Sequence, residues 1–502
     1  MKYYVREYVR ARNVKPGYIN NSGTFIILTT DNWDDYGYET TFYIDCFKEG
    51  VYNELGLIRI LEKDSTETRY KIPKEFESLE LGYISLGYNK LFYESLIDVF
   101  GKDVGMEILK DLNDISVGAL ENNPNFNIEH PGIQASFFRS SDARYLYEEV
   151  LNVYFENQKS TDRDYEFTFK FEVNKNSYTS IEVDFSKHRL LPNRLFALIG
   201  KNGVGKTRFL NQLSECLYDS SKPRNKNRFI INNEFEIPTY QKIIAISFSV
   251  FDTFFKGGSG VQNDPEKENE IDRNVTTKAN YTYIGLHKVD ETVFSIEEVS
   301  NTNIQTFEKL KKMNRAERFV ELLNKSRILH SRVSFQDMNE SFFYNYYSSG
   351  QNIFISMLGR LLSEIEDGSL VFLDEPELYL HPNAIASLMK IFLEILKEYQ
   401  SYAILCTHSP ILVQEMPSRY VRNLALIEKD LVQTQVSIET FGANVSDITK
   451  DIYDVTESES LYKTTLKELS KTLSEEEIEA IFENRLSFKA RMFLSSLYIQ
   501  ED

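Results

Sequence analysis

Leu198-Ile-Gly-Lys-Asn-Gly-Val-Gly-Lys-Thr-Arg-Phe-Leu210 is the stretch from which the rest of the chain is read. From Gly200 it fits Gly-x-x-x-x-Gly-Lys-Thr through Gly200, Gly205, Lys206 and Thr207, with Asn202 and Gly203 inside the loop. The preceding Leu195-Phe-Ala-Leu-Ile199 is an unbroken apolar run, as a parallel strand covered on both faces requires. After the glycines, Phe209, Leu210, Leu213 and Leu217 fall on one helical stripe. Strand, glycine loop and helix in that order is the setting in which a backbone cradles phosphates. Glycines let successive N–H groups turn toward phosphate oxygens at the positive end of the following helix. Lys206 offers a point charge to β- and γ-phosphates, and the Thr207 hydroxyl a ligand to Mg²⁺.

The second half of such a site lies further along. Ser369-Leu-Val-Phe-Leu-Asp-Glu-Pro-Glu-Leu-Tyr-Leu-His-Pro382 reads as an apolar strand running into Asp374 and Glu375. Carboxylates at the carboxyl end of a strand stand where open α/β sheets bind ligands. Asp374 is placed to hold Mg²⁺ through water, and Glu375 to polarise an attacking water. Pro382 opens a helix whose apolar face is Ile385, Leu388, Met389, Phe392, Ile395 and Leu396. Tyr402-Ala-Ile-Leu-Cys-Thr-His-Ser-Pro410 is a buried strand ending at His408, where a γ-phosphate sensor belongs. Upstream, Tyr346-Tyr-Ser-Ser-Gly-Gln351 precedes a helix expected to begin near Asn352. Its hydroxyls and N–H groups suit either a phosphate or an ordinary helix cap.

Composition bounds the rest. The chain has 502 residues, room for several domains, and a formal net charge of -19. Nucleic acid would therefore need a local basic patch or a partner. Cys46, Cys216 and Cys406 are isolated, which excludes a disulfide framework and a Cys-x-x-Cys metal pair. With no membrane-length apolar run and no signal-peptide core, the expected compartment is the cytoplasm.

Residues 1–150 read as an accessory β/α module, with strands at Thr24–Thr30, Thr41–Asp45 and Gly56–Leu61 and a helical stretch from Tyr88 to Leu112. Residues 32–37 form a loop, 122–127 a linker-like break, and Ala143–Leu151 a helix. Tyr165–Val173 and Thr179–Phe185 alternate as strands. The stretch 222–228 is a basic loop, Lys242–Val250 a core strand, 257–272 a polar insertion, and Thr282–Leu286 a further strand. Between 291 and 345 the chain is largely helical, with Lys309, Lys311, Lys312, Arg315, Arg318, Lys325, Arg327 and Arg332 clustered. That cluster fits either a solvated face or a DNA/RNA phosphate-backbone patch at 309–332. Leu461–Leu497 is helical and mixed in charge, a docking surface or a packed cap.

Gly200–Thr207, Ser348-Ser-Gly-Gln351, Leu373-Asp-Glu-Pro376 and Thr407-His-Ser409 resemble the phosphate loop, signature, acidic strand and switch histidine of ATP-binding-cassette ATPases. The tail Glu375-Pro-Glu-Leu-Tyr-Leu-His-Pro382 departs from the transporter pattern. It is similar to the branch formed by bacterial antiphage ATPases, the PtuA proteins of Septu and retron systems, with the AriA proteins of PARIS and the overcoming-lysogenization-defect proteins nearby. The fold so implied is α/β, an ABC-type P-loop head of mixed sheet and flanking helices with a helical signature subdomain, plus the N-terminal module and a helical C-terminal tail. Its parts would be an ATPase lobe at 151–290, a signature subdomain at 291–350, a second lobe at 351–430 and a tail at 431–502. ATP and Mg²⁺ are the implied ligands. Lys206 and His408 would grip the γ-phosphate, while Ser348, Ser349, Gly350 and Gln351 would meet the nucleotide of a second copy in a homodimer or higher oligomer. The usual lid glutamine is missing after the strand ending at Ser249, which leaves Ser247, Ser249 or Asp252 for that role.

The resemblance implies an ATPase that senses infection and controls a separate effector, an HNH nuclease, a Toprim nuclease or a toxin. No Asp-x-Asp cluster or His-Asn-His constellation in 430–502 gives the chain a nuclease of its own. A nucleic-acid-binding ATPase in DNA repair and an ATP-binding scaffold without turnover are the other readings.

Overall fold

A computed structural model describes the chain apart from residues 8–22, 32–36, 122, 139–140, 157–165, 176, 187–192, 219–224, 226, 250–253, 255–279, 289–291, 330, 345–346, 428–429, 454–460 and 500–502. The insertion at 257–272, Asp252, and most of the loops 32–37 and 222–228 lie outside the described residues. Two compact units are present, Met1–Gly442 and Ala443–Asp502.

Near the N-terminus, β1 (Lys2–Arg6), β2 (Phe25–Thr30), β3 (Thr41–Lys48), β4 (Val51–Glu62), β5 (Glu75–Phe76) and β6 (Tyr83–Gly87) form a sheet in the order β5-β1-β2-β3-β4-β6. β1, which lies outside the expected strands, pairs parallel with β2. The helical stretch after β6 is two helices, Lys90–Phe100 and Lys102–Asp111, because Gly101 turns to φ 78° between them. Phe92, Leu96, Ile108 and Leu109 close the core of this sheet with Ile26, Leu28, Ile44 and Ile58. Within the break at 122–127, Phe126 is tied down, packing among Leu61, Ile84 and Phe137.

Next come β7 (Glu166–Asn174), β8 (Ser177–Asp184), β9 (Leu195–Ile199) and β10 (Phe229–Ile230), of which β10, β7 and β8 make a small antiparallel sheet. The alternation in β7 turns Phe167, Phe169 and Phe171 inward. They meet the helix Lys206–Tyr218, whose Phe209 ring stands edge-on to Phe169 and Phe171 at 5.9 Å. The same core takes in Leu210, Leu213, Leu217, Phe196, Ile243 and Phe372, so the helix lies sandwiched between two sheets. Each such side chain contributes about 2–3 kcal/mol by leaving water.

The larger sheet adds β11 (Ile243–Ser247), β12 (Tyr281–Gly285), β13 (Leu370–Asp374), β14 (Tyr402–Cys406), β15 (Val421–Ile427) and β16 (Asp430–Gln435) to β9, in the order β12-β11-β13-β14-β9-β15-β16. Every pairing is parallel except β15 with β16. Helices Ile296–Lys312, Ala316–Ser326 and Ser349–Glu364 pack together, Phe307 meeting Phe319 and Phe343. In the second unit, helices Leu461–Leu469, Glu475–Ile481 and Phe488–Ile499 close on Leu466, Ile478 and Leu494.

Candidate functional site

Parallel strands end on the same edge of a sheet, and here that edge gathers the motifs. β14 lies between β9 and β13, with Asp374 level with Cys406 and Cys406 level with Leu198. The glycine loop leaves β9, the acidic pair leaves β13, and His408 follows the strand between them. The sequence separations of 167 and 202 residues collapse to side-chain contact.

Gly200 leaves β9 at φ 149°, against the neighbouring strand β15. A Cβ there would lie 2.4 Å from the Leu424 carbonyl oxygen, so no larger residue fits. Gly205, at φ 102°, turns the chain into the helix that starts at Lys206. Lys206 Nζ donates to the carbonyls of Gly200 at 3.0 Å and Lys201 at 3.3 Å, and lies 2.7 Å from His408 Nε2. Burial lowers the Lys206 pKa, against the pull of nearby carboxylates. His408 Nε2 is also 3.2 Å from Glu375 Oε1. An ammonium only donates, so a ring with its proton on Nδ1 accepts from Lys206 through Nε2, while a ring carrying a proton on Nε2 donates from that atom to Glu375. The hydrogen bond from His408, helped by the charges of His408 and Lys206, lowers the Glu375 pKa. Glu375 itself sits at φ 47°.

Thr207 Oγ1 donates to Asp374 Oδ2 at 2.8 Å. A hydroxyl and a carboxylate this close are hard oxygen donors of the kind Mg²⁺ takes, with its other positions filled by phosphate and water. The pair fits that ion. Among the described residues no cluster of three or more His, Cys, Asp or Glu forms a metal site. Of the lid candidates, Ser247 is level with Asp374 on the adjacent strand, and its buried Oγ makes no hydrogen bond among the described residues.

The Ser348–Gln351 turn is a helix cap in this chain. Ser348 Oγ accepts from the Gln351 N–H at 3.3 Å, and Gln351 Oε1 accepts from the Ser348 N–H at 2.9 Å. That reciprocal box starts the helix at Ser349, three residues before the expected Asn352. Gly350 packs against the main chain of Tyr379, in the segment that follows Glu375.

Five of the eight cations of the 309–332 cluster have partners within the chain, while Lys309, Lys311 and Lys325 keep exposed side chains. Lys309 pairs with Glu364 at 2.6 Å and Lys311 with Glu308 at 2.7 Å. Arg315 donates to the carbonyls of Leu362 and Ile365. Arg318 binds Glu321, Glu394 and Glu398, and Lys325 binds Glu321 and Glu394. Arg318 and Lys325 thereby knit the helix Ala316–Ser326 to the helix Pro382–Glu398. Arg228, from the other basic stretch, is buried on the Phe169 ring and donates to the Lys170 carbonyl at 2.7 Å.

Glu377 is the residue that sequence reasoning missed. Its Oε1 accepts from the Thr407 hydroxyl and from the His408 N–H. The only signal was a third acid two positions beyond Glu375.

A family model described as "AAA domain, putative AbiEii toxin, Type IV TA system" matches residues 306–414, which take in Ser348–Gln351, Asp374, Glu375 and His408. A stretch of 165 residues is 30% identical to the Septu protein PtuA of Bacillus thuringiensis, covering 29% of this chain and 41% of that protein. Over these stretches the chain resembles an AAA domain and PtuA. Over 526 residues it is also 26% identical to protein ea59 of Escherichia phage lambda, covering 95% of both. Among solved structures, cbiO1 from Clostridium perfringens, part of the ABC transporter complex cbiONQ, is 17% identical with a TM-score of 0.29, covering 64% of this chain and 100% of that one. An ATP-binding cassette of an ABC transporter in its ADP conformation is 11% identical with a TM-score of 0.28, covering 57% and 94%. Among the described residues no helix is long and apolar enough to cross a membrane.

Proposed function

We propose that this ATPase is a switch in phage–host conflict, binding and hydrolysing ATP with Mg²⁺ and so controlling a separate effector. The observation that carries the chemistry is the meeting of Lys206, Thr207, Asp374, Glu375 and His408 at one sheet edge. Gly200, Asn202, Gly203, Gly205 and Lys206 hold the phosphates in this reading. Thr207 and Asp374 hold Mg²⁺, which when bound would neutralise phosphate charge. Glu375 stays ionised beside His408 and orients the attacking water, and His408 meets the γ-phosphate. Ser348, Ser349, Gly350 and Gln351 reach the nucleotide of a second copy, making a homodimer the working form. The likeness to a Septu protein over 29% of the chain and to a phage protein over 95% of it supports the setting.

The test is phosphate release by the purified chain with ATP and Mg²⁺. Turnover in the wild type and loss of nucleotide binding in Lys206→Ala are expected. A wild type that binds ATP but releases no phosphate would instead make the protein a scaffold. Effector control is checked by co-purifying a genomically adjacent protein, whose release should differ between wild type and Glu375→Gln. A nucleic-acid-stimulated repair ATPase is less well supported, because most cations of the 309–332 stretch already face carboxylates or carbonyls.

A further inference from the structure

The strands β13 and β14 stop pairing at Asp374 and Cys406, but the two chains stay joined beyond that point. The Glu375 N–H donates to the Cys406 carbonyl at 2.9 Å. Two residues on, Glu377 reaches across with its side chain. Its Oε1 accepts from Thr407 Oγ1 at 2.5 Å and from the His408 N–H at 3.1 Å. Thr407 Oγ1 in turn accepts from the Ser409 N–H at 2.8 Å. One carboxylate oxygen thus collects two of the donors at the corner, the Thr407 hydroxyl and the His408 N–H. The other oxygen, Oε2, is shut off from solvent and makes no hydrogen bond among the described residues.

We propose that Glu377 is the positioning residue of this ATPase: it fixes the Thr407–His408 corner so that the His408 ring stands between Lys206 and Glu375. The inference rests on the ATPase reading for its consequence, though not for its geometry. The hydrogen bonds of Glu377 go to Thr407 and His408 rather than to Lys206 or Glu375, so its positioning acts through His408. Both accepted bonds go to a single oxygen, and an amide carbonyl has the lone pairs to accept both. For holding the corner, the acceptor oxygen therefore matters more than the carboxylate charge. This separates Glu377 from Glu375, whose charge the chemistry uses.

The experiment compares Glu377→Gln and Glu377→Ala in the full chain. The first readout is hydrogen–deuterium exchange of the segment containing His408, which requires no turnover. Wild-type protection should persist in Glu377→Gln and fall at least tenfold in Glu377→Ala; equal exchange in all three proteins overturns the proposal. The second readout is ATP hydrolysis. Glu377→Ala should lower kcat at least tenfold with little change in KM, Glu377→Gln should stay within about threefold of wild type, and adding Glu377→Ala to His408→Ala should cost nothing further. Independent, additive losses would overturn it, as would a Glu377→Gln enzyme as slow as Glu375→Gln. A wild type without turnover would fail the ATPase reading alone, leaving the exchange comparison to decide Glu377.

Discussion

Gly350 lies so close to Tyr379 that a methyl group in place of its hydrogen would sit 2.2 Å from the Tyr379 carbonyl oxygen. The neighbour is main chain, held at φ 69° in the segment that carries Glu375 and Glu377, so it has no rotamer to yield. Gly350→Ala should therefore push the first turn of the helix Ser349–Glu364 away from that segment. Overpacking of this kind costs about 1–3 kcal/mol. A fall in the unfolding midpoint, together with reduced ATP hydrolysis at unchanged nucleotide binding, is the expected outcome. A variant with the wild-type midpoint would mean that the contact is slack.

Glu375→Gln removes the charge that His408 stabilises while keeping the shape. General-base or water-orienting groups contribute about 10²- to 10⁴-fold. Phosphate release should fall by that order with ATP still bound, giving a protein that retains nucleotide through gel filtration. Retention of wild-type turnover would remove Glu375 from the mechanism.

A buried acid in the N-terminal sheet gives a pH prediction. Asp114 accepts from the Ser116 N–H and hydroxyl and from the Tyr93 hydroxyl, and burial pushes its pKa from 3.8 up to about 6. A raised carboxyl means that the folded chain holds the proton more tightly than the unfolded one. Stability from this group is thus greatest below pH 4 and is lost as pH rises toward 6. The displacement corresponds to about 3 kcal/mol. Denaturant unfolding of wild type and Asp114→Asn at pH 4 and pH 7 should show wild type losing ground to the variant by that order. Parallel curves would count against a proton held there.

The helix behind the glycine loop depends on one ring. Phe209→Ala should cost about 3–5 kcal/mol, because it opens a cavity between Phe169 and Phe171 that neither sheet can close. Nucleotide affinity should fall with it, since Lys206 and Thr207 begin that same helix. Chemical denaturation alongside ATP binding checks both.

What could be read ahead of the structure was whatever repeats locally. The glycine loop, the apolar strands on either side of it and the alternation at 166–173 follow from residues a few positions apart. The meeting of Thr207 with Asp374, and of Lys206 with His408, was legible because the motifs carry their own geometry. Glu377 was not, since its role depends on Thr407 arriving from the next strand. The pairing of the cations at 309–325 was hidden for a related reason. Most of their partners, Glu364, Glu394 and Glu398, lie on helices much further along the chain. β1 escaped notice because its five residues gain their order from β2, some twenty positions away.

The meeting of Gly200 with the Leu424 carbonyl limits how this protein can change over time. The outward-facing side chains of β15 and β16 are free to drift, and several are already greasy, Leu426 and Ile427 among them. Length is another matter. Adding or deleting one residue between Val421 and Leu424 would slide a different carbonyl under the loop and turn it the wrong way, spoiling a nucleotide cradle more than two hundred positions upstream without touching a single motif residue.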